Sequence, residues 1–128
     1  MRTEGPRVFR LLQSAFAEPW SEDEFLWKYR ELPLRPLDMF GALDTASGQL
    51  AGVFSCGVRE YWRAGSIVRG FQEANGAVDG AYRGRRVSSS LVDYVTSFVR
   101  EQGGLFHHGF TTDMSAGAMK RSSDSIEN

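Results

Sequence analysis

Between Asn75 and Arg100 the hydrophobic period of the chain changes from two to 3.6 within a few residues. Ala77 and Val78 close an extended run, Gly80 and Gly84 punctuate the next few residues, and Val87, Leu91, Val95, Phe98 and Val99 then recur at helical spacing. The pattern predicts a strand end, a short loop and a long helix. The first turn of a helix leaves about four backbone N–H groups unpaired and carries roughly half a positive charge, so an anion is stabilised there. Arg83, Arg85 and Arg86 add positive charge at the same place. The loop is therefore a candidate anion site, although glycine and arginine before a helix fit a solvated basic turn equally well.

Composition narrows the remaining options. A chain of 128 residues is expected to form one domain with a sizeable core, here residues 1–121, followed by a frayed tail at 122–128. The net charge of −1 argues against a general nucleic-acid or acidic-membrane binder, whose affinity would come from a basic surplus. The single cysteine, Cys56, cannot form an intrachain disulfide and belongs to no metal-binding spacing, which fits a reducing cytoplasm and no structural metal. MRTEGPRVFR contains no long apolar run, so neither a signal peptide nor a membrane span is expected.

Taken in order, Pro6 suits a first helical turn, and Val8, Phe9, Leu11, Leu12 and Phe16 form one apolar face. Ser21 with Glu24 is a capping-box signature, Trp20 with Phe25 fits a hydrophobic staple, and a second helix is expected from Glu22 to Arg30. Trp27, Lys28 and Tyr29 on it read as helix packing with a snorkelling lysine, or as the acceptor side of a cleft. Phe40–Asp44 and Leu50–Trp62 predict a hairpin, with Leu50, Phe54, Cys56, Val58 and Trp62 on one apolar face. Ser66–Asp79 predicts a further strand with bulges at Gly70 and at Asn75–Gly76. Gly103–Gly104 stops the long helix, Leu105–Thr111 reads as a strand, and Ser115–Arg121 as the start of a last helix.

The segment AVDGAYRGRRVSSSLVDYV resembles the coenzyme-A-binding segment of the GCN5-related N-acetyltransferases, whose motif is Arg/Gln-x-x-Gly-x-Gly/Ala after a valine-containing strand end. Arg83 matches the first motif position, Arg86 stands where that family has glycine, and Ser88 where it has glycine or alanine. A weaker likeness runs from about Phe25 to Met119. The resemblance implies a mixed α/β fold of that family: a mainly antiparallel sheet flanked by helices. A first strand and two final strands of the family are expected to be missing, which would leave a sheet edge for a second copy to cover.

The resemblance further implies that acetyl-CoA is the acyl donor. Its pantetheine would lie against the strand end at Ala77 and Val78, and its diphosphate on the loop of Arg83, Gly84, Arg85, Arg86, Val87, Ser88 and Ser89, with Asp113 near the pantetheine. Glu73 would be the general base, and the alternative for it is an exposed strand carboxylate. The family's usual general acid is a tyrosine, and Asp113–Asn128 contain none. Ser115 is a poor substitute, because an alcohol holds its proton too tightly. His107 and His108 are adjacent on an expected strand and should point to opposite faces, which precludes a two-ligand metal site. The implied activity is an N-acyltransferase acting on a small-molecule or protein amine. The rivals are a non-catalytic acyl-CoA-binding module and, less consistent with the charge balance, an RNA- or nucleotide-binding domain.

Overall fold

The protein's structure, a computed structural model, describes residues 5–16, 21–31 and 37–109. Among these, strands β1 (Asp38–Leu43), β2 (Leu50–Arg63), β3 (Ser66–Val78) and β4 (His107–His108) form one sheet in the order β1-β2-β3-β4. The first three are antiparallel, and β4 runs parallel to β3. Helices α1 (Gly5–Ala15) and α2 (Glu22–Leu26) cover one face, and α3 (Val87–Glu101) covers the other. This is the mixed, mainly antiparallel α/β architecture that the family resemblance implies.

Both faces of β2 are buried, and here the expectation of a single apolar face is corrected. Val53 joins Val8, Leu11, Leu12, Phe25, Tyr29 and Leu37 beneath α1 and α2. Cys56 joins Phe71, Val95 and Val99 beneath α3, with Phe54 and Val58 packed alongside. Leu50 packs with the first cluster, and Trp62, at the open end of the hairpin, is 74% exposed. A strand covered on both sides carries apolar residues at both parities, so alternation alone could not reveal the second layer.

The start of α2 follows the capping rule. The Ser21 hydroxyl accepts from the Glu24 amide at 3.2 Å, and the Glu24 carboxylate accepts from the Ser21 amide at 2.9 Å. Trp20 of the expected staple lies outside the described residues. The expected second helix is then α-helical only to Leu26, after which the chain widens into a π-helix over Trp27–Glu31. Of the aromatic pair there, Tyr29 is buried and Trp27 is exposed.

The bulge expected near Asn75 is present, and a side chain builds it. Phe54 pairs with Gly76 and Cys56 with Glu73, so Ser55 alone stands opposite Ala74 and Asn75. The buried Ser55 hydroxyl donates to the Asn75 carbonyl and accepts from the Asn75 amide, both at 2.9 Å. Gly70, the other expected bulge, is in regular register with Arg59 and instead makes room for the Tyr61 and Phe106 rings. β4 pairs with β3 only through Phe71–His107 and Gln72–His108, a shorter strand than the expected Leu105–Thr111, of which Phe110 and Thr111 lie outside the described residues. The expected last helix, the 122–128 tail, Ser115 and Asp113 also lie outside them. Among the described residues no helix is long and apolar enough to cross a membrane.

Candidate functional site

Beyond Gln72, β3 continues to Val78 with no strand on its β4 side among the described residues. The Asp79 amide donates to the Ala51 carbonyl of β2 at 2.9 Å. Peptide direction alternates along a strand, so Ala77 also faces β2, whereas the N–H and C=O of Gly76 and Val78 face the unpaired side. The two residues expected at the pantetheine thus differ: Val78 offers its backbone to the gap, and Ala77 packs against the α1–α2 core.

The chain then makes one 3-10 turn, Gly80–Tyr82, capped by Asp79, whose carboxylate accepts from the Ala81 amide at 2.9 Å. Tyr82 is buried; its hydroxyl donates to Asp44 Oδ2 at 2.8 Å, with Gln49 Oε1 at 3.1 Å. Bonding from Tyr82 first, then from the Ala46 amide and Ser47, holds the Asp44 carboxyl below the usual carboxylate range. Tyr82 therefore ties the loop to the β1–β2 turn. Tyr82→Phe, which removes only the hydroxyl, is expected to lower the thermal midpoint by about 4 °C, read by thermal unfolding.

Gly84 and Arg86 both take positive φ, +77° and +61°. Arg86 therefore holds the left-handed conformation that glycine adopts without strain, and its side chain is exposed. The amides of Gly84, Arg86, Val87, Ser88 and Ser89 have no backbone acceptor outside helix α3, and no side-chain acceptor, among the described residues. Arg83 is exposed, while the Arg85 guanidinium stacks on the Tyr82 ring at 5.3 Å. Gly52 lets the first turn of α3 settle on the sheet: a Cβ there would lie 2.8 Å from Val87 Cγ1 and 3.1 Å from the Ala77 carbonyl. The result is a set of amides without a partner among the described residues at the head of a fifteen-residue helix, with Ser89 itself buried, a few residues after an unpaired strand edge.

Glu73 sits at the other end of that edge. Its side chain is 9% exposed, and Oε1 lies 2.5 Å from His107 Nδ1. Thr96 Oγ1 of α3 donates to the Val92 carbonyl, so the 2.9 Å contact between Thr96 Oγ1 and His107 Nε2 must use a proton on Nε2. One further proton is then shared between His107 Nδ1 and Glu73. Gly109 passes over the carboxylate, where a Cβ would stand 2.5 Å from Oε2. Glu73 is thus a buried partner of His107 and not an exposed strand carboxylate. His108 turns the opposite way and bonds the Tyr61 hydroxyl, as adjacent strand residues must.

On the α2 side of the bulge, Lys28 Nζ donates to Asn75 Oδ1 at 2.6 Å, and the Tyr29 hydroxyl donates to the same oxygen at 2.9 Å. Burial pulls the Lys28 ammonium below its ordinary range and pushes the Tyr29 phenol up to about 12. Asn75 as the meeting point of these groups had no local sequence signal. Among the described residues no group of three or more His, Cys, Asp or Glu side chains could hold a metal ion.

No protein-family model matches the chain, and no curated protein matches its sequence. Solved structures do match in three dimensions. An acetyltransferase from Trypanosoma brucei superposes with a TM-score of 0.78 at 15% identity, over 100% of this chain and 90% of that one. The fold is that of the GCN5-related N-acetyltransferases. Glucosamine-6-phosphate N-acetyltransferase from Arabidopsis thaliana has a TM-score of 0.72 at 14% identity, over 100% and 92% of the two chains. AAC(6')-Iy, solved with the bisubstrate analogue CoA-S-monomethyl-acetylneamine, has a TM-score of 0.71 at 18% identity, over 93% and 80%. Within this acetyltransferase fold, the motif-bearing loop and the unpaired edge of β3 are adjacent.

Proposed function

We propose that the chain is an acyl-CoA-dependent N-acyltransferase that moves an acetyl group from acetyl-CoA to a primary amine by direct attack. The observation that carries this reading is the adjacency, within an acetyltransferase fold, of the amides of Gly84 and Arg86–Ser89, which lack a partner among the described residues, and the unpaired peptide groups of Val78 and Gly76. The amides and helix dipole suit a diphosphate. The strand edge suits an amide-bearing arm that pairs as an added strand. The hydroxyl of half-buried Ser88 and the exposed guanidinium of Arg83 add donors around the phosphates, whereas Ser89 is buried and would contribute through its amide.

Catalysis in this reading rests on positioning and on removal of one proton from the amine. Glu73, whose carboxylate pairs with His107 and lies under Gly109, is the proposed acceptor by way of a bridging water. Its support is its place beside the last paired residue of β3, where the gap opens.

Calorimetry of acetyl-CoA against wild type and Arg86→Gly tests the binding half. Wild type should bind, because Arg86 already holds the glycine-like conformation with its side chain outward. Arg86→Gly should add about 0.5–1 kcal/mol of stability by relieving the left-handed residue. Binding by the glycine variant alone would mark the loop as degenerate, and binding by neither would overturn the proposal. Binding without thiol release across a panel of primary amines would favour a non-catalytic acyl-CoA-binding module.

A further inference from the structure

Resting on the acyl-transfer reading above, we propose that the acceptor amine also carries an oxyanion, a carboxylate or a phosphate, and that the guanidinium of Arg59 binds it. The sheet face opposite α3 supplies the site. Side chains alternate along β2, so Arg59 and Tyr61 share the face of Val53, whereas Cys56, Val58 and Glu60 belong to the face of α3. Gln72 pairs with Gly57 on one side and His108 on the other, and so joins Arg59 on the same face. Among the described residues the core beneath α1 and α2 reaches as far as Val53 and Leu37.

Arg59 is built into that face. Its Nη1 donates to the Val58 carbonyl at 2.8 Å, and its Nε donates to Gln72 Oε1 at 3.2 Å. Gly57 makes room for the planar group, since a Cβ there would lie 3.1 Å from Arg59 Nη1. The guanidinium is thereby fixed with two of its five N–H bonds in use. The other three, on Nη1 and Nη2, have no acceptor among the described residues. Half-burial strips a cation of part of its hydration, which a carboxylate ordinarily offsets. Among the described residues none does so here. Glu60 and Glu73, the acids of β2 and β3, lie on the α3 face, and Glu73 is paired with His107. Three N–H bonds on two adjacent nitrogens are enough to hold two oxygens of one carboxylate or phosphate.

The position of Arg59 ties this site to the reaction. Gln72 is the last residue of β3 paired with β4, and the gap proposed for the thioester opens beyond it. Glu73 stands on the α3 side of that point and Arg59 on the other. Tyr61 and His108, hydrogen-bonded to each other, bound the site towards the hairpin tip. An acceptor lying on this face can set its oxyanion on Arg59 and its amine at the gap. The two points are about two strand residues apart, about 7 Å, a span that suits a compact amino acid or amino phosphate.

The test pairs amines that differ in the oxyanion: O-phosphoethanolamine with ethanolamine, and β-alanine with propylamine. With acetyl-CoA, wild type should release thiol with a kcat/KM about thirtyfold higher for the anionic member of at least one pair. The pair with the larger ratio tells phosphate from carboxylate. Arg59→Met should bring the ratio close to one, chiefly through KM, and Arg59→Glu should invert it. The NMR resonance of Arg59 Nε–H, assigned by its loss in Arg59→Met, should shift with the anionic amine and stay in place with its neutral partner. Equal kcat/KM within both pairs in wild type, a ratio that survives in Arg59→Met, or an Nε–H resonance indifferent to both anionic amines would overturn the proposal. Should Arg59→Met not fold, Arg59→Lys takes its place; it keeps the charge without the fork and should lower the ratio at least about threefold. A shifted resonance without thiol release from any amine would leave the oxyanion site standing and sink the acyl-transfer reading, and thiol release without preference would do the reverse.

Discussion

Ser88→Asp is expected to make the protein slightly more stable and to abolish its affinity for acetyl-CoA. Ser88 is the second residue of α3, half-buried between Val87 and Ser89, whose amides have no partner among the described residues. A carboxylate at a helix start interacts favourably with the amides and the dipole, by about 0.5 kcal/mol. Those same amides are the proposed seat of the diphosphate. Two like charges about 4 Å apart at an effective dielectric of about 20 repel by about 4 kcal/mol, close to a thousandfold in affinity. The fold and the ligand therefore respond with opposite signs to one substitution. Thermal unfolding and calorimetry read the two effects separately, and undiminished binding would show that the phosphates lie elsewhere.

Glu73→Ala is expected to destabilise the fold by about 3 kcal/mol, because it strips the partner from a half-buried imidazole that joins β4 to α3. His107→Ala should have a comparable effect, and the double variant should lose less than the sum, since the two residues share one interaction. Denaturant unfolding of the three variants measures this. Glu73→Gln supplies an amide N–H that can donate to His107 Nδ1, the unprotonated nitrogen when Nε2–H faces Thr96, and should cost only about 1 kcal/mol. It therefore isolates the proposed chemical role. In that variant the turnover number should fall about a hundredfold, and an unchanged pH–rate profile would remove Glu73 from the mechanism, leaving it as the clasp between strand and helix.

The features legible in the residue pattern are local ones. The 3.6 spacing of Val87, Leu91, Val95 and Val99 marks α3, and the two-residue alternation with a glycine-containing turn marks the β1–β2 hairpin. Ser21 and Glu24 mark the start of α2. Each rests on interactions within a few residues, so the residues concerned are neighbours along the chain. The position of the loop that could receive phosphates belongs to the same class, because it depends on where a strand ends and a helix begins.

The rest of the site depends on contacts across the sheet. Asn75 meets Lys28 and Tyr29 from 47 and 46 residues away, and Glu73 meets His107 from 34 residues away. No periodicity reports such a meeting, since it depends on which face each strand turns towards α2 or α3. The Ser55 hydroxyl holds the Asn75 bulge that sets β3's direction beyond Glu73, and a lone serine in an apolar strand carries no sign of that role. Sequence thus determined the succession of elements and the place where the long helix begins. Tertiary packing decided which faces are covered, where the strand edge stays open, and which groups meet Asn75 and His107 across the sheet.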